Sequence, residues 1–462
     1  MNVYDSERMA KLLAPLNYRL TSEIDSADLI IVNTCAIREK AEQKVFSFVG
    51  RLAGMKKKKP NLIIGVGGCV AQQQGQKILK RVPFLDVVFG THAIGRLARL
   101  IERVEHERIR LVDVAPAPGI EVFDAPPEFG NDGQVTRFVT IMQGCDNYCT
   151  YCVVPYVRGR EQSRQPDKIV EEIQSLVNCG VREVTLLGQN VNSYGRKEGL
   201  CTFAELLERV NAVDGLARFR FTTSHPKDLS TLLCRAFRDF DKLCSHIHLP
   251  VQSGSNGVLK RMNRRYTREH YLGKIAELRH YSPRIAVSSD FIVGFPGETG
   301  EDFEQTLDLI HTVQYDSLFA FKYSDRPDTP AAHFDDKVPE EEKDERLKAL
   351  LDLQDGITLE KHRSLVGSIQ EVLVEGLSKK QSPAGGRLSG QDSTGLQWNG
   401  RAPSNRIVNF EKGPDSPLFS GDLTGKLVRV KIQAAYAHSL RGTLEGIEPA
   451  PFNSKGDQSY AA

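Results

Sequence analysis

Three cysteines, Cys145, Cys149 and Cys152, lie within eight residues directly after a predicted strand, and they restrict the fold more than any other feature of this chain. Three thiolates at this spacing can hold three corners of one iron–sulfur cluster, because such clusters are bound by cysteines in short runs. A closed structural zinc site needs four ligands, and the next histidine along the chain is His225. We therefore predict a cluster with one iron left open to a substrate. A zinc site and three unrelated core cysteines stay open as alternatives.

The overall composition excludes several classes of protein. Nine cysteines in 462 residues are too few for a disulfide scaffold. Apolar runs stay far below the roughly 18 residues of a membrane helix. The N-terminus lacks the basic and apolar regions of a secretion signal, so we expect a cytoplasmic protein. With 61 Lys and Arg against 59 Asp and Glu, the net charge is +2, so local basic patches must bind any polyanion.

The N-terminal part of the chain alternates short apolar runs with helical patterns, which predicts a doubly wound parallel sheet. The predicted strands are 29–32, 62–66 and 87–89, and the predicted helices between them are 36–53 and 71–80. The chain opens on a helix start at Asp5 or Ser6, although a doubly wound domain normally opens with a strand. We therefore expect the first strand of this domain to be missing.

The rest of the chain divides into two further domains. Six strand-and-helix units in the centre predict a partial barrel, (β/α)6, with its chemistry at the C-terminal ends of the strands. Short alternating strands separated by turn residues then predict a small antiparallel β-barrel. The predicted boundaries are 1–114 for the N-terminal domain, 115–134 for a linker, 135–364 for the central barrel, 365–449 for the small barrel and 450–462 for a flexible tail.

The spacing of the triplet, with Tyr151 before the last cysteine and a strand before the first, resembles the radical S-adenosylmethionine (SAM) superfamily. The resemblance implies that Cys145, Cys149 and Cys152 hold a 4Fe–4S cluster whose open iron binds SAM. One electron then cleaves SAM to methionine and a 5′-deoxyadenosyl radical. It also implies SAM contacts in two further segments, for which turn-forming roles stay open: Gly188, Gln189 and Asn190 after the second strand, and Ser288, Ser289 and Asp290 on a later one.

Two more cysteines end neighbouring strands of the N-terminal sheet. Cys35 follows the first predicted strand and Cys69 follows the second, so both lie on the carboxyl edge where doubly wound folds bind ligands. Incidental core positions are the alternative interpretation of these two cysteines.

Nearly the whole chain, from residue 1 to about 450, resembles the radical SAM methylthiotransferases. These proteins join a doubly wound domain, a radical SAM barrel and a C-terminal TRAM barrel. The segments that carry the resemblance are 33–41, 154–164, 222–226, 248–255 and 435–442. They are most similar to the members that add a methylthio group to C2 of N6-dimethylallyladenosine beside the anticodon of tRNA. We therefore expect a tRNA-modifying enzyme.

The resemblance implies that Cys35 and Cys69, with a third cysteine, hold an auxiliary 4Fe–4S cluster that delivers sulfur, while a second SAM donates the methyl group. In the family that third cysteine lies in a Gly-Cys-Gln-Met-Asn segment, and this chain begins with Met1-Asn2. We therefore expect the auxiliary site to be incomplete here. A start assigned too far downstream would explain the missing strand and the missing ligand together, and a natural truncation is the alternative.

The resemblance also implies partner proteins. These are an electron donor such as flavodoxin or ferredoxin, and proteins that donate sulfur or clusters. We expect the chain to be a monomer without membrane contact. Two other functions stay open: a methylthiotransferase acting on a different substrate, and an RNA-binding protein that no longer inserts sulfur because its auxiliary site is incomplete.

RNA contacts are expected on two basic surfaces. The first lies in the central barrel and contains Lys260, Arg261, Arg264 and Arg265. The second lies on the small barrel, which resembles oligonucleotide-binding barrels. Its candidate phosphate contacts are Arg406 and Arg441, together with Arg401, Lys426, Arg429 and Lys431, and Trp398 or Tyr436 could stack on a base. A solvated surface, or a core position for Trp398, is the alternative in each case.

Overall fold

The computed structural model describes residues 1–35, 39–116, 133–378, 396–412 and 421–447. Most of the predicted linker 115–134 and all of the predicted tail 450–462 lie outside these residues. The described chain forms a parallel sheet with helices, an open parallel barrel and a small closed barrel, in the predicted order. Within these ranges, no helix is both long enough and apolar enough to cross a membrane.

The N-terminal domain is a parallel sheet with helices on both faces, as predicted. Its helices are α1 (Asn2–Leu13), α2 (Glu39–Lys58), α3 (Cys69–Gln74), α4 (Gln76–Arg81) and α5 (Leu97–Glu107), and its strands are β1 (Leu29–Thr34), β2 (Ile63–Gly68), β3 (Val87–Phe89) and β4 (Leu111–Asp113). The strands pair in the order β1-β2-β3-β4. Ile63 and Phe89 pack against α1 and α5, whereas Ile64 and Val66 pack with residues of α2, because successive side chains of a strand point to opposite faces.

Two details of this domain differ from the prediction. The last strand, β4, was not predicted, because only three residues form it and its apolar run is short. The predicted helix 71–80 is two helices, α3 and α4, which meet at Gly75. The helix predicted at the start of the chain is α1, and no strand precedes it in the described residues.

The central domain is an open parallel barrel. Its strands are β5 (Thr136–Thr140), β6 (Met142–Gln143), β7 (Gln162–Ser163), β8 (Glu183–Leu187), β9 (Arg218–Phe221), β10 (His246–His248), β11 (Ala286–Val293) and β12 (Ser317–Lys322). Its helices are α6 (Val154–Val157), α7 (Pro166–Asn178), α8 (Phe203–Asn211), α9 (Thr231–Asp239), α10 (Asn256–Arg261), α11 (Arg268–Tyr281), α12 (Gly300–Val313) and α13 (Glu340–Arg363).

Six strands of this domain form two parallel sheets, β5-β8-β9 and β10-β11-β12, and a bridge between Phe219 and Leu243 joins them. The short strands β6 and β7 form a separate antiparallel pair. The helices cover the outer face, where one large apolar core runs from Val139 to Ile357. The predicted partial barrel of six βα units is therefore confirmed.

The C-terminal domain is a closed barrel of five strands: β13 (Ile369–Leu377), β14 (Gln397–Arg401), β15 (Ile407–Lys412), β16 (Leu427–Ala435) and β17 (Leu440–Ile447). They pair in the order β13-β14-β15-β17-β16. The small barrel is as predicted, with one difference: β15 and β17 pair in parallel, while the other four pairs are antiparallel.

The small barrel docks on the N-terminal ends of the central strands through buried charges. Nε of Arg218 lies 2.5 Å from Oε2 of Glu183, and Arg218 also donates to the carbonyl of Arg401 at 2.8 Å. Arg220 binds Glu183 as well and donates to the side chain of Asn405 at 3.2 Å. Burial opposes ionisation of Glu183, but the two arginines lower its pKa to about 2. The opposite, carboxyl ends of the strands carry the candidate site.

Candidate active site

The loop that carries the cysteine triplet is fixed at its start by a close backbone approach. Gly144 has φ of 78°, and a Cβ atom there would lie 2.1 Å from the carbonyl oxygen of Arg160. Its N–H donates to Oε1 of Gln189 at 2.6 Å, and the N–H of Cys145 donates to the carbonyl of Gly159 at 3.2 Å. The loop therefore begins in one defined position between the end of β8 and the segment after α6.

The second half of the loop contacts the basic segment that follows α10. The N–H of Thr150 donates to the carbonyl of Met262 at 3.1 Å, and the N–H of Cys152 donates to the carbonyl of Cys149 at 3.0 Å. Nη1 of Arg264 lies 3.5 Å from Sγ of Cys149. Burial raises the pKa of Cys152 to about 12, and the neighbouring Cys149 adds to this shift. These contacts hold the second half of the loop against the segment that follows α10.

This arrangement fits an iron–sulfur cluster. Burial raises the pKa of Cys145 and Cys149 adds to this shift, while Cys149 and Cys145 both add to the raised pKa of Cys152, so the three thiols are electrostatic neighbours. Within the described ranges, no three His, Cys, Asp or Glu side chains meet at a point where they could hold one metal ion. The irons of a cluster bind their cysteines separately, so the three sulfur atoms need not meet at one point.

A group of buried polar atoms without partners lies beyond the ends of β8 and β9. Oδ1 of Asn190, Oδ1 of Asn192, Oγ of Ser224 and Nε2 of His225 are all buried and have no hydrogen-bond partner in the protein. Nδ2 of Asn190 donates to Asp228 at 2.8 Å. Unpartnered buried polar atoms are uncommon, and here they converge at the strand ends where a barrel binds its ligand.

Sequence reasoning named Asn190 but not the other members of this group. Lys227 links the group to the triplet loop, because its Nζ donates to Oδ1 of Asn147 at 2.7 Å. Glu161 is a further member: burial raises its pKa to about 7, a hydrogen bond from Ser193 opposes the shift, and Asp228 adds to it. The available signal was the polar run 222–226 directly after β9.

The other predicted SAM contacts occupy different positions. A Cβ atom on Gly188 would lie 2.4 Å from Cγ of Met142, so this glycine allows the end of β8 to approach β6, which precedes the triplet loop. Gln189 holds Gly144, as described above. Ser288 and Asp290 share the inner face of β11. Ser289 points to the outer face, where its hydroxyl accepts from the N–H of Val251 at 3.0 Å, so it does not line the site.

The two N-terminal cysteines are brought together by strand register. Thr34 pairs with Gly68, so Cys35 and Cys69 follow adjacent positions of β1 and β2. Burial raises the pKa of Cys69, and a hydrogen bond from Arg158 opposes this shift. Nη2 of Arg158 also donates to Asp5 at 2.7 Å, and both side chains are 5 % exposed. The segment after α6 therefore contacts both cysteine sites.

Of the basic residues expected to bind RNA in the central barrel, Arg264 requires a correction. Its side chain is buried and donates to the carbonyl of Pro250 at 2.6 Å, so it supports the triplet instead of facing a polyanion. Lys260 and Arg265 are exposed. Arg261 is exposed too, and it pairs with Asp336 at 2.7 Å.

The candidate RNA contacts of the small barrel also include both residues that are used inside the protein and residues that are exposed. Arg406 binds Asp316 of the central domain, so it contributes to docking instead of presenting a free charge. Trp398 is 3 % exposed and belongs to the barrel core, so it holds the core position that was the alternative to stacking on a base. Tyr436 is 51 % exposed. Arg441 is also exposed and pairs with Glu411 at 2.7 Å.

Three family matches divide the chain as the fold does. The uncharacterized protein family UPF0004 matches residues 1–90, the radical SAM superfamily matches residues 139–310, and the TRAM domain matches residues 363–444. The radical SAM match supports an iron–sulfur cluster and SAM as cofactors. Among solved structures, the radical SAM methyltransferase TsrM from Kitasatospora setae aligns with a TM-score of 0.54 at 12 % identity, over 80 % of this chain and 76 % of that one. This likeness shows the fold.

Curated relatives match over almost the full length. A tRNA-2-methylthio-N(6)-dimethylallyladenosine synthase from Desulfosudis oleivorans is 56 % identical over 97 % of this chain and 95 % of its own length. Proteins of the same name from Syntrophus aciditrophicus and Geobacter metallireducens are each 50 % identical over 96 % of this chain, and over 92 % and 96 % of their own lengths. With its three domains, its triplet loop and these relatives, the chain belongs to the tRNA-2-methylthio-N(6)-dimethylallyladenosine synthase family of radical SAM methylthiotransferases.

Proposed function

We propose that this protein replaces the hydrogen at C2 of N6-dimethylallyladenosine in tRNA with a methylthio group, using SAM. The observation that carries the proposal is the contact of one segment with two cysteine sites. Gly159 accepts from the N–H of Cys145, and its neighbour Arg158 donates to Cys69. A reaction that couples SAM cleavage to sulfur delivery needs two such sites close to one substrate.

The first site would hold the SAM-cleaving cluster on Cys145, Cys149 and Cys152. When bound, that cluster supplies the electron that cleaves SAM to a radical able to attack the C2–H bond, which is not acidic. The chain's own residues have supporting roles. Arg264 places a fixed positive charge against Cys149, and Gln189 holds the start of the loop. These contacts fix the positions of the three thiols before any ligand binds.

The polar group beyond β8 and β9 would bind SAM. Asn190 and Asn192 present carbonyl oxygens that can only accept, and Asp228 adds a carboxylate beside them. These acceptors suit the ammonium of an amino acid. Nδ1 of His225 accepts from the N–H of Lys227 at 3.3 Å, so its free Nε2 carries the proton and offers a donor. The group therefore supplies both kinds of hydrogen-bonding partner for a zwitterion.

The second site, at Cys35 and Cys69, would supply two of the three thiolates that the resemblance implies for the auxiliary cluster that delivers sulfur, and a second SAM would donate the methyl group. Its two cysteines lie on the sheet edge that faces the segment after α6, and Arg158 provides the cation beside Cys69. Positive charge next to a cysteine favours the thiolate, which is the form that binds iron.

Transfer RNA would contact the exposed cations of both barrels. Lys260, Arg261 and Arg265 are exposed beside the triplet, and Tyr436 and Arg441 are exposed on the small barrel.

We further propose domain boundaries at 1–114, 135–364 and 365–449. We also propose that the protein is a cytoplasmic monomer. Its partners would be a flavodoxin or ferredoxin as electron donor, and separate proteins that donate sulfur or clusters.

The test is anaerobic reconstitution of the wild-type chain, of Cys149→Ala, and of the matched control Cys179→Ala at the end of α7. Cys149→Ala should lose 5′-deoxyadenosine formation from SAM in the presence of dithionite, because one corner of the cluster loses its thiolate. Cys179→Ala should keep it. The modified nucleoside, identified by mass spectrometry, should follow the same order with tRNA that carries N6-dimethylallyladenosine. Wild-type 5′-deoxyadenosine from Cys149→Ala would contradict the assignment.

A further inference from the structure

Four polar side chains form a continuous row on the inner face of β10 and β11. Register pairs His248 with Ser288. The hydroxyl of Ser288 lies 3.0 Å from Nε2 of His246 and 3.0 Å from Nδ1 of His248. Nε2 of His248 then lies 3.4 Å from Oδ2 of Asp290. The row leads from the buried His246 to Asp290, whose side chain is 29 % exposed.

The chemistry of the four groups gives the row a direction. A carboxylate only accepts, so the contact with Asp290 requires a proton on Nε2 of His248. In a neutral His248, Nδ1 then accepts from the hydroxyl of Ser288. That hydroxyl in turn accepts from Nε2 of His246. The Nδ1 lone pair of His246 is the one group left over, and it has no partner in the protein.

The charge of His246 depends on its surroundings at the base of the barrel. Burial lowers the pKa of His246 well below its usual range, and the neighbouring Arg220 strengthens the shift. His246 therefore stays neutral and carries one N–H, as the direction of the row requires. The ring of His248 has a further contact, because Phe319 meets it edge to face at 6.3 Å and 71°.

We propose that His248 is a positioning residue that aims the carboxylate of Asp290 at a hydrogen-bond donor of bound SAM, with Ser288 and His246 fixing its tautomer. This inference rests on the proposed SAM site. Ser288 is 3 % exposed, and its hydroxyl contacts both histidines and lies 3.5 Å from the carbonyl oxygen of Ile247, so it acts through His248 and does not itself contact SAM.

The test measures SAM affinity of the cluster-loaded protein by calorimetry, together with iron per chain. His248→Leu removes the donor to Asp290 and should weaken SAM binding by about tenfold, the equivalent of about 1.4 kcal/mol, with iron unchanged. His248→Gln keeps an amide donor of similar reach and should recover most of the affinity. The KM for SAM should rise in the same proportion as the dissociation constant, and kcat should change less.

A double-mutant cycle distinguishes positioning from loss of structure. In an Asp290→Asn background, His248→Leu should have no further effect on SAM affinity, because the carboxylate it holds is gone. Independent effects that multiply would overturn the inference, as would wild-type affinity in His248→Leu. Failure of the wild-type protein to bind SAM would instead refute the proposed function, so the two failures are distinguishable.

Discussion

The two cysteine sites of this protein are built in different ways. The triplet comes from one short loop, so Cys145, Cys149 and Cys152 are neighbours in any fold that keeps this loop closed. Cys35 and Cys69 are 34 positions apart in sequence and meet because β1 and β2 pair in register. A local site depends on its own loop contacts, whereas a site built by register depends on the whole sheet and on what packs against it.

The largest expected effect is the loss of one reaction product, the methylthiolated nucleoside, while the other, 5′-deoxyadenosine, is still formed. Cys69→Ala should still form 5′-deoxyadenosine from SAM, because the triplet loop does not depend on it, but should yield no methylthiolated nucleoside. Cys149→Ala should lose both. The measurement is 5′-deoxyadenosine and the modified nucleoside by mass spectrometry in the same reaction. Methylthiolation at the wild-type level by Cys69→Ala would show that the second site is not used for sulfur.

The ion pair between Arg158 and Asp5 should matter next, because it joins the N-terminal domain to the triplet domain. Arg158→Leu leaves Asp5 as a buried charge without its partner, and we expect a loss of about 3–5 kcal/mol in the free energy of unfolding. Urea denaturation measures this loss. The double variant with Asp5→Leu is the control, because removing both charges should recover most of the stability.

Glu161 lies near Cys145 of the triplet and near Asp228 of the polar group, and it should make stability depend on pH. Its pKa is raised to about 7 from 4.5, mainly by burial, so the native state holds its proton more tightly than the unfolded chain. Its contribution is therefore most favourable below pH 4.5 and is lost as the pH rises toward 7. Glu161→Gln should remove this part of the slope. The measurement is the free energy of unfolding by urea at several pH values between 4.5 and 7. If its slope against pH is the same in Glu161→Gln as in the wild type, the prediction of a protonated Glu161 is wrong.

The smallest expected effect concerns two adjacent arginines with opposite environments. Arg265 is exposed, so Arg265→Ala should weaken tRNA binding and reduce the slope of log K against log salt by about 0.7. Arg264 is buried against Cys149, so Arg264→Met should change the cluster content of the chain more than the salt slope. Fluorescence titration of tRNA at several salt concentrations decides between them. Equal slopes for wild type and Arg265→Ala would place the phosphate contacts elsewhere.

Some properties were already determined by the order of residues. Spacing predicted the triplet site, and alternation of apolar runs predicted most strands of the three domains, because hydrophobic period and short-range ligand spacing are local properties. The placement of Cys35 and Cys69 on one sheet edge also followed, since parallel strands bring their carboxyl ends together. Resemblance to the methylthiotransferases then predicted the function of the family to which the chain belongs.

Only the tertiary structure decided which charges are free and which are used. Arg264 and Arg406 are basic residues of the kind that contact RNA phosphates. In the structure, however, Arg264 binds the carbonyl of Pro250 beside the triplet, and Arg406 binds Asp316, which is 90 positions away in sequence. The same holds for Ser289, which a one-residue alternation turns to the outer face of β11, and for the group around His225. A basic or polar residue looks alike in sequence whether solvent, a ligand or a distant carbonyl satisfies it. Long-range packing alone makes that choice, because partners far apart in sequence leave no local pattern.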